Sequence, residues 1–95
     1  MIAHQLSVPS HSLFALLRER GYFVAENSFV RPSEQPGALV DILSPYHGFF
    51  APVTTVTPGF LKEILVGKGY RLPSMPEFKL HSDKRGIFEI VLCWS

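Results

Sequence analysis

The chain has 95 residues, which is one domain's worth of material, with 46% hydrophobic and 18% charged residues, so a packed core is affordable and disorder is excluded. Net charge is +1 with histidines neutral, which removes the strongly basic balance of a dedicated nucleic-acid binder but leaves room for a local basic patch. No stretch approaches the run of about 20 apolar residues that a membrane span needs. The start, Met1-Ile2-Ala3-His4-Gln5, lacks the cationic and apolar regions of a secretory leader. Cys93 is the single cysteine, so no internal disulfide forms, and the expected compartment is the cytoplasm.

In chain order, Ser10 to Arg20 reads as a first helix. Leu13, Phe14, Leu16 and Leu17 form its apolar stripe, Arg18, Glu19 and Arg20 face water, and Gly21 sits where a helix closes in a left-handed residue. Tyr22 to Val30 reads as extended, interrupted at Asn27-Ser28. Arg31 to Gly37 (RPSEQPG) is a loop by composition. Ala38 to Leu43 reads as a short strand, Ser44 to Gly48 as a turn, and Phe49 to Val56 as a strand. Pro52 cannot donate to a ladder, which confines that last strand to an edge or a bulge.

The second helix carries the clearest signals. Thr57 is an N-cap, Pro58 suits the first helical position, Phe60, Leu61, Ile64 and Leu65 make the buried stripe, and Gly67-Lys68-Gly69 ends it. Phe78 to His81, the turn Ser82 to Gly86, and Ile87 to Trp94 read as a hairpin. The expected fold is a two-layer α+β sandwich, with two helices on one face of a four- to five-stranded, mostly antiparallel sheet, as a single domain over residues 1–95.

An internal echo runs at an offset of 48: Leu13, Leu17, Gly21 and Tyr22 recur as Leu61, Leu65, Gly69 and Tyr70. Two readings are open. Any helix closed by glycine before an aromatic strand start has this look, or the chain contains two α-β-β halves.

The closing segment is apolar on both of its alternating faces. Phe88, Ile90, Leu92 and Trp94 fall on one side, and Ile87, Glu89, Val91 and Cys93 on the other. Two short helices cover one sheet face only, so the second face calls for loops, a second copy of the chain or a partner.

Catalytic patterns are thin. His4, His11, His47 and His81 show no metal-ligand spacing and no cysteine pair completes a zinc site, so no metal and no cofactor are expected. Asp41, Ser44 and His47 are close in sequence, but Ser44 precedes Pro45 in a plain turn without a nucleophile-elbow setting. Cys93 lies in an apolar strand with no flanking cation to activate it. The eight acids are spread singly, and only Asp41 and Glu89 sit in apolar runs, where the plainer reading is exposed strand carboxylates. Gly67-Lys68-Gly69 follows its helix, whereas phosphate loops precede one.

Two surfaces stand out instead. Between Lys62 and Arg85 six cations face three carboxylates, and the tip Asp83-Lys84-Arg85-Gly86, with Lys79 and Phe78 beside it, suits either a solvated, aggregation-resistant turn or a wing-like nucleic-acid contact. Tyr46-His47-Gly48-Phe49-Phe50 packs aromatics around a glycine, and one of Phe49 and Phe50 is expected in the core, with the other joining Tyr46 toward a partner.

The expected function is that of a small, non-catalytic binding protein, an inhibitor or adaptor of the kind phages and mobile elements encode, occupying a surface of a larger protein or complex. Tyr46, Phe49, Phe50, Ile87 and Val91 would supply apolar contact, and Lys84 and Arg85 would steer toward an acidic partner. The alternative is a small nucleic-acid-associated regulator using the hairpin from Lys79 to Arg85. A homodimer fits either reading. An enzyme ranks third and would need Asp41, Glu89 and a histidine in one pocket.

Overall fold

The computed structural model describes residues 3–95; Met1 and Ile2, part of the start read above as leaderless, lie outside it. Six strands and two helices follow in the order β1 (His4–Pro9), α1 (Ser10–Glu19), β2 (Phe29–Pro32), β3 (Val40–Tyr46), β4 (Phe49–Val56), α2 (Pro58–Gly67), β5 (Glu77–Asp83) and β6 (Gly86–Trp94). Class and helix positions agree with the sequence reading. The single sheet does not. The strands form two three-stranded antiparallel sheets, a first of order β1-β6-β5 and a second of order β2-β3-β4.

β1 is the reason. His4-Gln5-Leu6-Ser7-Val8-Pro9 has only two aliphatic side chains in register and reads weakly as a strand, yet it pairs along its whole length with β6, from His4 opposite Trp94 to Pro9 opposite Glu89. With β1 on one side and β5 on the other, β6 is the centre of its own sheet. β2 also runs into the loop-like RPSEQPG segment as far as Pro32, at the end of an outer strand, where a missing donor is tolerated. Tyr22 to Ser28, read as extended, is instead a loop, anchored where the Arg18 guanidinium donates to the Val24 carbonyl at 2.7 Å.

The helix ends follow local chemistry. Thr57 Oγ1 accepts from the Phe60 amide at 3.1 Å, a standard cap. At the other ends, Gly21 and Gly69 take positive φ of 93° and 101°. There the amides of Tyr22 and Tyr70 reach back to the carbonyls of Leu17 and Leu65, both at 3.2 Å.

One apolar core gathers Leu13, Phe14 and Leu17 from α1, Leu61, Ile64 and Leu65 from α2, Val8, Ile87, Ile90 and Leu92 from the first sheet, and Val30, Val40, Ile42 and Val56 from the second. Both sheets thus turn one apolar face toward the helices, and each keeps an outward face. Where β2 passes the start of β6, the backbones nearly touch: a Cβ on Gly86 would lie 2.6 Å from the Val30 carbonyl oxygen, and Gly86 has φ of 109°. Only glycine fits there.

Two bulges reset side-chain direction. β4 carries an extra residue, Val53, because Ile42 pairs with Thr54 and Leu43 with Pro52; β4 is therefore both an edge and bulged, the two options Pro52 allows. In β6, His81 pairs with Glu89 but Ser82 with Ile87, leaving Phe88 unpaired. The simple alternation read from the sequence fails here. Ile87 turns into the core and Phe88 turns outward, half-exposed.

Candidate functional site

Two of the five apolar residues proposed for contact are covered by the chain itself. Ile87 is 4% exposed as a core member, and Val91 is 7% exposed at the centre of the first sheet, between Ser7 and Lys79. Neither offers area to a partner. The supposed need to shield the closing strand from outside the fold disappears with them.

The aromatic hairpin is different. Tyr46, Phe49 and Phe50 are 58%, 57% and 50% exposed, so neither phenylalanine belongs to the core, contrary to the sequence reading. The cause is length. β2 pairs with β3 only from Val40 to Leu43, whereas β3 and β4 continue together to Tyr46 and Phe49. Past Leu43 the second sheet is a two-stranded ribbon, touched near its base by the loop before β2, where Ser28 bonds to Ser44, and half-exposed at its aromatic end. His47 (φ 48°) and Gly48 (φ 83°) close it in a two-residue left-handed turn.

The rings organise one another. Tyr46 meets Phe49 edge-on at 5.8 Å between centroids, and Phe50 meets Phe29 at 5.5 Å. Tyr46 also borders a shallow depression of about 400 Å³ with Phe23, Pro45, Ala51 and Val53. Phe23 is 95% exposed. The sequence reading placed it in a strand and missed it. Its signal was position: Tyr22, the residue after the closing glycine, packs back against Phe60, and the next side chain has no helix left to cover.

The tertiary structure also joins two features that were read separately. A wider depression of about 660 Å³ is bordered by Phe29, Phe50, Arg31, Lys84 and Arg85, so the basic turn between β5 and β6 stands beside the aromatic ribbon. Phe29 was not singled out from sequence; it comes into play only because it pairs with Leu43 and leans on Phe50. Lys79 is not part of this grouping. It lies on the outer surface of the edge strand β5, opposite Val91.

Charge at this depression is moderate. Asp41 accepts from Thr55 Oγ1 at 2.9 Å and from Arg31 Nε at 3.2 Å. Burial pushes its carboxyl pKa up, but hydrogen bonds from Thr55, Ser33 and Arg31 outweigh that and hold it below the usual aspartate value. Arg31 is thereby engaged. Asp83 Oδ1 accepts from the Arg85 amide at 2.7 Å, which shapes the turn, and the cationic heads of Lys84 and Arg85 project from it.

The titratable groups read for catalysis are dispersed. Ser44 Oγ is hydrogen-bonded to Ser28 Oγ, His47 packs against Tyr46, and Asp41 keeps its own partners. On the first sheet, Glu89 takes a hydrogen bond from Ser7 and faces His81 Nδ1 at 3.0 Å. Those bonds, that from Ser7 foremost, draw its pKa below the usual glutamate value. The carboxylate stands between hydroxyl and imidazole, so the serine meets a carboxylate rather than the imidazole, and this is not the serine–histidine–carboxylate order that activates a nucleophile. Glu89 has its histidine, but Asp41 is bonded elsewhere, on the second sheet. Among the described residues no group of three or more His, Cys, Asp or Glu is placed to hold a metal ion, and no helix is long and apolar enough to cross a membrane. Compared with protein-family models, curated proteins and solved structures, the chain matches none of them.

Proposed function

We propose that this chain is a non-catalytic binding protein that occupies a surface of a larger protein or complex with its aromatic ribbon, as an inhibitor or adaptor. The carrying observation is that Phe23, Tyr46, Phe49 and Phe50 are each at least half exposed around one projecting ribbon. Rings of this kind supply large contact area at small entropic loss and serve as interface anchors. Lys84 and Arg85, beside Phe50, favour an acidic rim on the partner and would act mainly on association rate. A cytoplasmic location suits this reading.

A photo-crosslinking residue placed at Phe49 tests it in the cells that produce the chain, with Glu63 on α2 as the control position. The reading expects a discrete protein adduct from position 49, absent from position 63, and lost from the same probe when Phe50 and Tyr46 are alanine. Identical adducts from both positions, or none from 49, would overturn it.

The nucleic-acid reading keeps one supporting feature, the Phe29–Phe50 pair lying beside Lys84 and Arg85, since bases stack on rings flanked by cations. Lys84→Glu with Arg85→Glu separates the two. Loss of salt-dependent retention on immobilised DNA or RNA favours nucleic acid; a slower approach to an unchanged protein complex favours a protein partner.

A further inference from the structure

We propose that the chain is two β-α-β-β units fused in tandem, each completing the other's sheet with its first strand, and that the same exchange joins two copies of the chain once the link between the units is shortened. The units are β1-α1-β2-β3 and β4-α2-β5-β6.

Helices, caps and strand registers each point to the duplication. α1 spans Ser10–Glu19 and α2 spans Pro58–Gly67, so both ends are displaced by 48, the offset of the sequence echo. Both helices close with the same pair of bonds: Gly21 to Arg18 and Tyr22 to Leu17, then Gly69 to Val66 and Tyr70 to Leu65, at 3.0 and 3.2 Å in each case. The register carries the most weight. In the first sheet Ile90 lies between Val8 and Leu80, and Leu92 between Leu6 and Phe78. In the second, Val40 lies between Val56 and Pro32, and Ile42 between Thr54 and Val30. A shift of 48 carries both flanking strands of one sheet onto those of the other, and a shift of 50 carries the central strand, Val40 to Ile90 and Ile42 to Leu92. All four central residues are buried. A chance likeness of two glycine-closed helices would not set two sheets in the same register.

The sheet orders complete the picture. Reading β1-β6-β5 beside β4-β3-β2, each sheet takes the first strand of one unit and the second and third strands of the other. Neither unit builds a three-stranded sheet alone. What each recognises is the first strand of a β-α-β-β unit, and the only covalent link between the units is the turn His47-Gly48. Any second copy of the chain carries the same complementary strand, so shortening that link converts an internal pairing into an intermolecular one.

The full chain with His47 and Gly48 deleted tests this, beside a variant with a long glycine-serine insert between them. Without the turn, β3 cannot fold back on its own β4, so the second unit of one copy must complete the first unit of another. The expected product has twice the 10.7 kDa chain mass by light scattering and an unchanged far-ultraviolet spectrum, while the insert variant stays a folded monomer. A folded monomer from the deletion, an unfolded or aggregated deletion beside a folded insert variant, or failure of both to fold would each overturn the proposal.

Discussion

The two sheets are alike on the inside and different on the outside. Their central strands bury the same positions, Val40 and Ile42 in one and Ile90 and Leu92 in the other. The outward side of the first sheet carries Val91 and the half-exposed Phe88 but is otherwise largely polar, and Ser7, Glu89 and His81 are joined by hydrogen bonds across its three strands. The second sheet has one polar row, Arg31, Asp41 and Thr55. Beyond it on that side come Phe29, Leu43 and Pro52, then Pro45 and Phe50, while Tyr46 and Phe49, one residue further on, lie on the ribbon's other side. Packing density holds the interiors alike, because a core side chain cannot change without its neighbours. Outward positions are free to diverge, and the apolar side of that divergence is the surface proposed above for a partner.

The largest expected effect tests the likeness of the interiors. Leu17 and Leu65 are equivalent positions, both fully buried, and truncating either to alanine should cost about 2–5 kcal/mol in denaturant unfolding. The two costs should also be similar. A Leu17→Ala that is severe beside a mild Leu65→Ala would show the units packed differently despite their shared register.

Gly86→Ala should come next, at roughly 2–4 kcal/mol, since left-handed strain adds to a collision with the Val30 carbonyl. Gly37→Ala is the matched control. Gly37 also has positive φ, at 78°, but nothing lies within 4 Å of the added carbon. It should cost only the strain, about 1 kcal/mol. Equal melting temperatures for the two variants would mean that the sheets do not meet as closely as the Gly86 contact requires.

A smaller effect separates the polar outer rows by pH. Glu89 has a lowered pKa in the folded chain, so its ionised form stabilises the fold above the ordinary glutamate pKa. That contribution fades as acid protonates it through the folded value. Wild type should therefore exceed Glu89→Gln in stability near neutrality, with the gap closing on acidification below the ordinary glutamate range. Asp41→Asn should follow the same sign on the second sheet, shifted to the aspartate range. A gap that widens in acid would reverse the assignment of the row. Smallest of all should be the stability change of Tyr46→Ala with Phe50→Ala, within about 1 kcal/mol for side chains at least half in water. Loss of the crosslinked partner without loss of melting temperature would place the ribbon's role in binding rather than in folding.

Much of this was legible in the residues alone. Thr57-Pro58, the leucine stripes and the closing glycines specify both helices, because a helix satisfies its hydrogen bonds within a few residues and its caps are local. A turn was legible before Phe49, but the residues suggested Ser44 to Gly48, whereas β3 runs on through Tyr46 and only His47-Gly48 turn; Pro52 marks the edge and bulge. The division into two sheets was not legible, since β1 finds its partner across the whole chain, His4 against Trp94, and half of β1 is polar. The facing of Ile87 and Phe88 was not legible either: a bulge is a mismatch between two strands, and one strand read alone shows only alternation. Nor could the residues alone place Lys84 and Arg85 beside Phe50. Local chemistry decided where the elements begin and end; which strands lie together, and so which side chains are left facing water, was decided by the one arrangement that brings both apolar sheet faces and both helix stripes into a common core.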